Sequence, residues 1–319
     1  MKIKTILTHI LWFFCAVSIL YGLSRLYYLS GDGFAVMHIT SDLSPEDRWT
    51  TRPLTDPENS TVERLLNGKF FYLGKGCQSY VFESEDGKYV MKFFKYQRLK
   101  EKIWPGFLSR FSFIDHYLQK RNAHKKQKRE GVFLAWKLAF DFLSKETGTV
   151  YVHLNKSDNL KKNVTIIDKL GIQHSLWIDQ YEFMIQKKAV MLCDEIAKNM
   201  SCGEIKTAEI LLQKLVQRIL SEYKSGFADN DHALIQNTGV WEGEPIHIDV
   251  GQFVREESVK EESFYLQELY TKTYKFRIWL RQEYPELCDR FEEYLSDTMG
   301  DCFKTMKPLW RDRIEIFQE

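Results

Sequence analysis

The sequence predicts an α+β fold behind an N-terminal transmembrane helix, with a mostly antiparallel sheet in the first half and a compact helical second half. Three observations lead there. Thr5 to Ser24 contains no charged residue. From Lys69 onward, short runs rich in Phe, Tyr and Val are separated by glycine-bearing turns, the pattern of paired strands. From Thr207, apolar residues recur at helical spacing. Composition sets the bounds: 319 residues, 44% hydrophobic and 28% charged, leave room for a large core and argue against disorder.

The first element is the run TILTHILWFFCAVSILYGLS, with Lys2 and Lys4 before it and Arg25 after it. Residues 5–24, at about 1.5 Å each, span a hydrocarbon core of roughly 30 Å. A cleaved signal peptide is the rival reading, with Ala16-Val17-Ser18 as a tolerable cleavage site. The apolar run continues through Ile19, Leu20, Tyr21 and Leu23, which favours an uncleaved single-pass anchor over residues 1–30. The flanking charges only weakly place the N-terminus inside. Asn59, Asn155, Asn163 and Asn199 each begin Asn-x-Ser/Thr and would suit a lumenal domain, so the side of the membrane stays open.

Residues 31–65 read as a tether, because Pro45, Pro53 and Pro57 stand among Asp, Ser, Thr and Gly. The net charge of +1 excludes a general polyanion binder. The charge is uneven, with eleven Lys/Arg against three acids in residues 95–130 and ten against fifteen in residues 256–319. The cluster from Lys120 to Arg129 reads as a solvated helix face or a surface for acidic headgroups. No companion motif or aromatic interleaving accompanies it, so no nucleic acid is expected. Six cysteines without a CxxC pair argue against a disulfide scaffold and against zinc.

Strands are predicted over Phe70–Leu73, Tyr80–Glu83 and Lys88–Phe94, with Asp86-Gly87 closing a tight hairpin. The first two are joined by Gly74-Lys75-Gly76-Cys77-Gln78-Ser79, and Val81 follows. Glycines in such a bend let backbone N–H groups approach a phosphate chain, although a plain glycine-bearing hairpin looks the same. Lys92 lies mid-strand in Val90-Met91-Lys92-Phe93-Phe94. A lysine so enclosed needs an anionic partner if buried, and the bland alternative is the wet face of an amphipathic strand. Further strands are expected over Thr149–Leu154, Val164–Ile167 and Tyr181–Gln186.

Downstream, TAEILLQKLVQRILSEYK places Ile210, Leu211, Leu215, Ile219 and Leu220 on one helical face, with Gly226 as the stop. Asp229-Asn230-Asp231 follows, then Asn237, then Asp249 in Ile246-His247-Ile248-Asp249-Val250-Gly251. Taken singly these are ordinary turn and cap residues. The tail from Lys260 reads as helices.

In order, Gly-x-Gly-x-x-Ser-x-Val, Val-Met-Lys, the helix, the Asp…Asn loop and the strand into Asp-Val-Gly resemble the protein kinase fold, in its atypical and small-molecule-kinase forms. The resemblance covers residues 69 to about 253 and implies a bilobal chain, with an N-lobe over 66–190 and a helical C-lobe over 191–319. Together with the apolar N-terminal run it implies a membrane-anchored phosphotransferase that uses ATP and Mg2+ to phosphorylate a hydroxyl of a protein, sugar or lipid. By the same resemblance Gly74, Gly76, Ser79 and Val81 would cover the nucleotide, and Lys92 would hold its phosphates. Asp231 would be the base, with Asp229 as competitor, and Asn237 and Asp249 would hold metal. Glu130, the first acid in the apolar part of a helical pattern over Ile114–Leu143, would orient Lys92. Glu101 is its competitor, and the longer spacing implies an insertion around Trp104-Pro105-Gly106. Departures from the pattern are Ser79 for the third glycine, Asp229-Asn230 for His-Arg, a late Asn237 and a missing Ala-Pro-Glu. They motivate the alternative of an inactive pseudokinase acting as a binding or scaffold module.

Overall fold

Helix α1 (Lys2–Ser30) opens the chain in the computed structural model, which describes residues 2–100 and 112–310. By length and composition its Thr8–Ser30 stretch can cross a membrane, and no residue of its apolar window is buried.

The segment 31–65 corrects the tether expectation. Phe34, Ile39 and Trp49 are buried, and α2 (Asp56–Leu66) buries Val62, Leu65 and Leu66. Fully burying one such side chain stabilises by roughly 1.5–3 kcal/mol, so the segment belongs to the folded domain. The sequence carried a signal for α2. Thr55 and Glu58 form a capping box, and Pro57 stands in the first turn, where its missing N–H costs nothing.

The sheet has seven strands: β1 (Lys69–Lys75), β2 (Ser79–Ser84), β3 (Tyr89–Phe94), β4 (Thr149–His153), β5 (Asn163–Ile167), β6 (Gln173–Trp177) and β7 (Phe183–Lys187). Their order is β4-β7-β3-β2-β1-β5-β6, antiparallel except for β1 beside β5. Alternation along each strand sends side chains to two faces. On one face Phe70, Tyr80, Phe82, Met91 and Phe93 pack against Phe34, Ile39 and α2. Between the third and fourth strands, α3 (Tyr96–Leu99) precedes α4 (Ser112–Asp141), and α5 (Ser144–Thr147) follows. Helix α4 covers the other face, setting Val132, Phe133, Trp136 and Phe140 against Phe94, Val152 and Met184.

The second half holds β8 (Val190–Met191), α6 (Leu192–Ser201), α7 (Ile205–Lys224), β9 (Phe227–Asp229), α8 (Leu234–Asn237), β10 (Thr238–Trp241), β11 (Glu244–His247), β12 (Phe253–Arg255), α9 (Glu262–Glu283) and α10 (Pro285–Met299). Helix α7 buries Leu211, Leu212, Leu215, Val216 and Ile219 in a core shared with α9 and α10. Ile210 lies outside that stripe and is exposed. Gly226, at φ +83°, ends the helix in the left-handed conformation expected of a glycine stop. Strand β12 pairs with β9, and β10 lies between β11 and β8. The result is a mixed α/β chain in which one multi-strand sheet meets a helical body.

Because the buried hydrophobic set begins at Phe34, deletion of Met1–Ser30 is expected to leave a soluble, folded domain. A circular dichroism melt of the truncated chain checks this. An insoluble or unfolded product would make α1 a structural part of the domain.

Candidate active site

Lys92 lies opposite Val81 and Met184 in the register of β2, β3 and β7, so the three side chains share one sheet face. Its Nζ donates to the carbonyl of Ile248, just past β11. Burial pushes the Lys92 amine down to about 8, and the nearby Asp249 carboxylate opposes that shift. Asp249 itself is exposed, and its Oδ1 accepts from the Gly251 N–H at 3.2 Å.

The β1–β2 loop closes over this pair. The Gly76 N–H donates to Ser79 O at 2.9 Å, Lys95 N to Gln78 O at 2.8 Å, and Lys95 Nζ to Gly76 O at 2.5 Å. The side chain of Gln78 reaches down onto Gly251, where a Cβ would collide with its Oε1. Gly251 thus lies directly under the tip of Gln78, a flexible side chain whose far end can shift. Gly74 has open space around it, and the Ser79 hydroxyl stays within the loop, near Gly76. Leu73 is exposed at a bulge in β1, where the register with β2 shifts between Tyr72 and Gly74, and Gly74 comes opposite Val81. Opposite, a Cβ on Gly239 would lie 2.6 Å from Ala189 and 2.9 Å from Ile248. Sequence reasoning missed Leu73, because the bulge at that position breaks the strand alternation.

Glu130 is a correction: it does not meet Lys92. Arg48 Nη2 donates to its Oε1 at 2.5 Å, and Lys126 Nζ lies 4.0 Å away. The reason is helical phase. The stripe of α4 that faces the sheet is Val132, Phe133 and Trp136, while Glu130 turns toward the 47–49 turn, where Trp49 packs edge-on against Phe133. Glu101 and Trp104-Pro105-Gly106 lie outside the described residues.

The loop after β9 brings Asp229, Asp231 and Asn237 together around one small cavity, with His247 and Lys272. Asp229 is buried. Its Oδ1 accepts from the Asp231 N–H at 3.0 Å, and its Oδ2 lies 3.5 Å from Lys272 Nζ. Asp231 is half-buried, with Oδ1 accepting from Ala233 N at 2.9 Å and Oδ2 from Gln252 Nε2 at 3.0 Å. A second cavity of about 480 Å³ opens beside Asp231, lined also by His232, Gln252, Lys275 and Trp310. Asn237 is buried with its Nδ2 unpartnered, and its carbonyl accepts from Ile248 N at 2.8 Å. That bond ties the Asn237 turn to the segment that carries Asp249.

Beneath the loop lies a buried charge network that sequence reasoning missed. Lys272 Nζ donates to the carbonyls of both Asp229 and Asp231 at 2.8 Å, clamping the loop to α9. His247 Nε2 lies 2.9 Å from Glu222, and Arg218 3.3 Å from it. Burial pushes the Glu222 carboxyl up, but His247 and Arg218 outweigh it and hold the group below its ordinary value. Lys272 falls between Leu269 and Phe276 on the apolar stripe of α9, and a charge on such a stripe is the signal that marks it. Among the described residues, no cluster of three or more His, Cys, Asp or Glu is placed to hold a metal. Asn237 and Asp249, the pair expected to hold metal, are linked through the bond from Ile248 N to the Asn237 carbonyl, and Asp249 lines neither of the two cavities.

No family model matches the chain, and no curated protein does. Among solved structures it is similar to two of WbdD, a bifunctional kinase-methyltransferase, at TM-score 0.35. Sequence identity is 16% and 17%, over 72% of this chain and 46% and 47% of theirs. The chain therefore spans about half the length of those proteins.

Proposed function

We propose that this chain is a kinase-like phosphotransferase, held to a membrane by α1, that moves the γ-phosphate of ATP to a hydroxyl acceptor. The observation that carries the reading is the convergence of Lys92 with the Ile248–Asp249 segment, 156 residues downstream, under the Gly74–Ser79 loop. Val81 forms the ceiling for a purine, and Gly74 and Gly76 let the loop backbone approach the phosphates. Lys92 binds those phosphates as a cation. Asp249 and Asn237 supply oxygen ligands, and bound Mg2+ would neutralise phosphate charge. Asp231 faces the larger cavity and takes the proton of the acceptor hydroxyl. Admitting a nucleotide requires Gln78 to lift off Gly251.

One observation favours the second reading, an inactive binding module: Lys92 is held by a backbone carbonyl and not by the helix glutamate. Thermal melts with and without MgATP, paired with γ-phosphate transfer assays on protein, sugar and lipid acceptors, separate the two. A rise in the midpoint with transfer supports the enzyme. A rise without transfer or ATP turnover supports the binding module, and no rise removes both.

Lys92 also fixes a pH dependence. With its amine near 8, Lys92 loses its charge as pH rises through that value, so nucleotide affinity is expected to fall, by up to about tenfold per pH unit above it. For the nucleotide-free protein the sign is opposite: the unfolded chain keeps its proton up to about 10.5, so stability rises between 8 and 10.5. Calorimetric titrations at pH 7 and pH 9.5, on wild type and Lys92→Met, check the first effect. The variant should bind weakly at both values, and a wild type that binds equally at both would remove Lys92 from the site.

A further inference from the structure

We infer that α1 is mounted rigidly on the sheet, and that the turn between β5 and β6 rests on the membrane surface that α1 enters. The inference builds on the anchor reading of α1 and is independent of the phosphotransferase chemistry.

The mount is a set of contacts at residues 31–34. The Gly31 and Gly33 N–H groups close the helix end on Tyr27 O and Tyr28 O at 2.9 and 2.7 Å. Gly33 O then accepts from the Tyr80 hydroxyl on β2 at 2.6 Å. Asp32, in the left-handed region at φ +54°, takes Lys169 Nζ at 3.0 Å and the Tyr72 hydroxyl at 3.2 Å on its carboxylate. Lys75 donates to its carbonyl at 2.8 Å. Phe34 then enters the core edge-on to Tyr80 and Phe82. Strands β1 and β2 and the β5–β6 turn thus all grip the chain within four residues of the helix end.

The membrane surface follows from that mount. Leu170 Cδ1 lies 3.6 Å from where a Cβ of Gly31 would stand. If Thr8–Ser30 is the span, Gly31 lies about 1.5 Å beyond it along the axis, at headgroup depth, and Leu170 lies there with it. Leu170 and Ile172 are 40% and 44% exposed, and Asp168 Oδ1 accepts both of their N–H groups at 2.9 Å, so the turn that presents them is built rather than loose. Tyr27, Tyr28 and Arg25 sit in the last turns of α1, where aromatic and basic residues anchor at the interface. Lys75 and Lys169, both paired with Asp32, stay partly exposed at the helix end, and two lysines against one carboxylate leave a net positive charge there for anionic headgroups. The occupant is a bilayer leaflet carrying anionic lipid, because the apolar surface of α1, which the anchor reading puts in lipid, is continuous with Leu170. Lys75 stands between Gly74 and Gly76, so the Gly74–Ser79 loop borders the headgroup layer.

The test uses the full chain in liposomes of phosphatidylcholine and phosphatidylglycerol. Spin labels are placed singly through Leu170→Cys, Ile172→Cys, Leu20→Cys in α1 and Glu293→Cys in α10, with Cys15, Cys77, Cys193, Cys202 and Cys302 replaced by serine. Labels at 170 and 172 are expected to show an oxygen-to-nickel-chelate accessibility ratio severalfold above that at 293. If they match 293 while position 20 reads as lipid, the resting surface is wrong and the anchor stands. If position 20 also reads as water, the anchor reading itself fails and takes the surface with it.

Discussion

Asp249→Asn is expected to weaken MgATP binding by at least 10–100-fold, the range that follows even from losing a group that merely supports a metal ligand. The change keeps shape and one oxygen but removes the charge that a hard cation seeks. The side chain is exposed in the cleft and makes one local hydrogen bond, to the Gly251 N–H, so little stability is at stake. A second effect has the same sign. The Asp249 carboxylate holds the Lys92 amine up against burial, so its loss lets that amine fall further and titrate nearer neutrality. The deficit should therefore grow between pH 6.5 and pH 8. Calorimetric titration with and without Mg2+ checks both parts: the loss should be large with the metal and small without it. Equal affinities for variant and wild type with Mg2+ present would take Asp249 out of the metal site.

Punctuation in the chain made much of the sheet legible. The Gly74–Ser79 loop and the Asp86-Gly87 turn set β1, β2 and β3 to within a residue or two of their expected limits, and Gly87, at φ +67°, takes the left-handed conformation that its turn favours. Helix α7 was equally readable from its apolar period and its glycine stop. Glu130 was not, because the sequence of a 30-residue helix does not by itself say which face meets Lys92. The segment 31–65 was misread through its prolines, although the Thr55–Glu58 pair marked a helix start. Lys272 and Gln252 act on Asp231 from 41 and 21 residues away, distances that only the tertiary fold closes. The choice between Asp229 and Asp231 also needed the fold, because both alternate onto the same side of an extended stretch.

Their environments now separate the two carboxylates. Asp229 is 5% exposed, and the buried Lys272 ammonium lies 3.5 Å from its Oδ2. Asp229→Asn removes the charge from that buried pair, and breaking such a pair typically costs about 3–5 kcal/mol, so its signature is a lowered melting midpoint. Asp231 opens onto the larger cavity with both oxygens aligned by N–H donors, from Ala233 and Gln252. Asp231→Asn turns an NH2 group toward one of those donors and forfeits about 1 kcal/mol, which leaves the fold standing. MgATP binding should be unchanged within twofold. Phosphoryl transfer should slow by on the order of 10²–10⁴, the usual contribution of a positioned acid–base group. Melting curves, nucleotide titrations and transfer rates on both variants decide the assignment. If Asp229→Asn abolishes transfer at full stability while Asp231→Asn does not, the base is Asp229. If wild type binds nucleotide and no acceptor or water is phosphorylated, Asp231 is a structural residue of a binding module, held in place by Gln252.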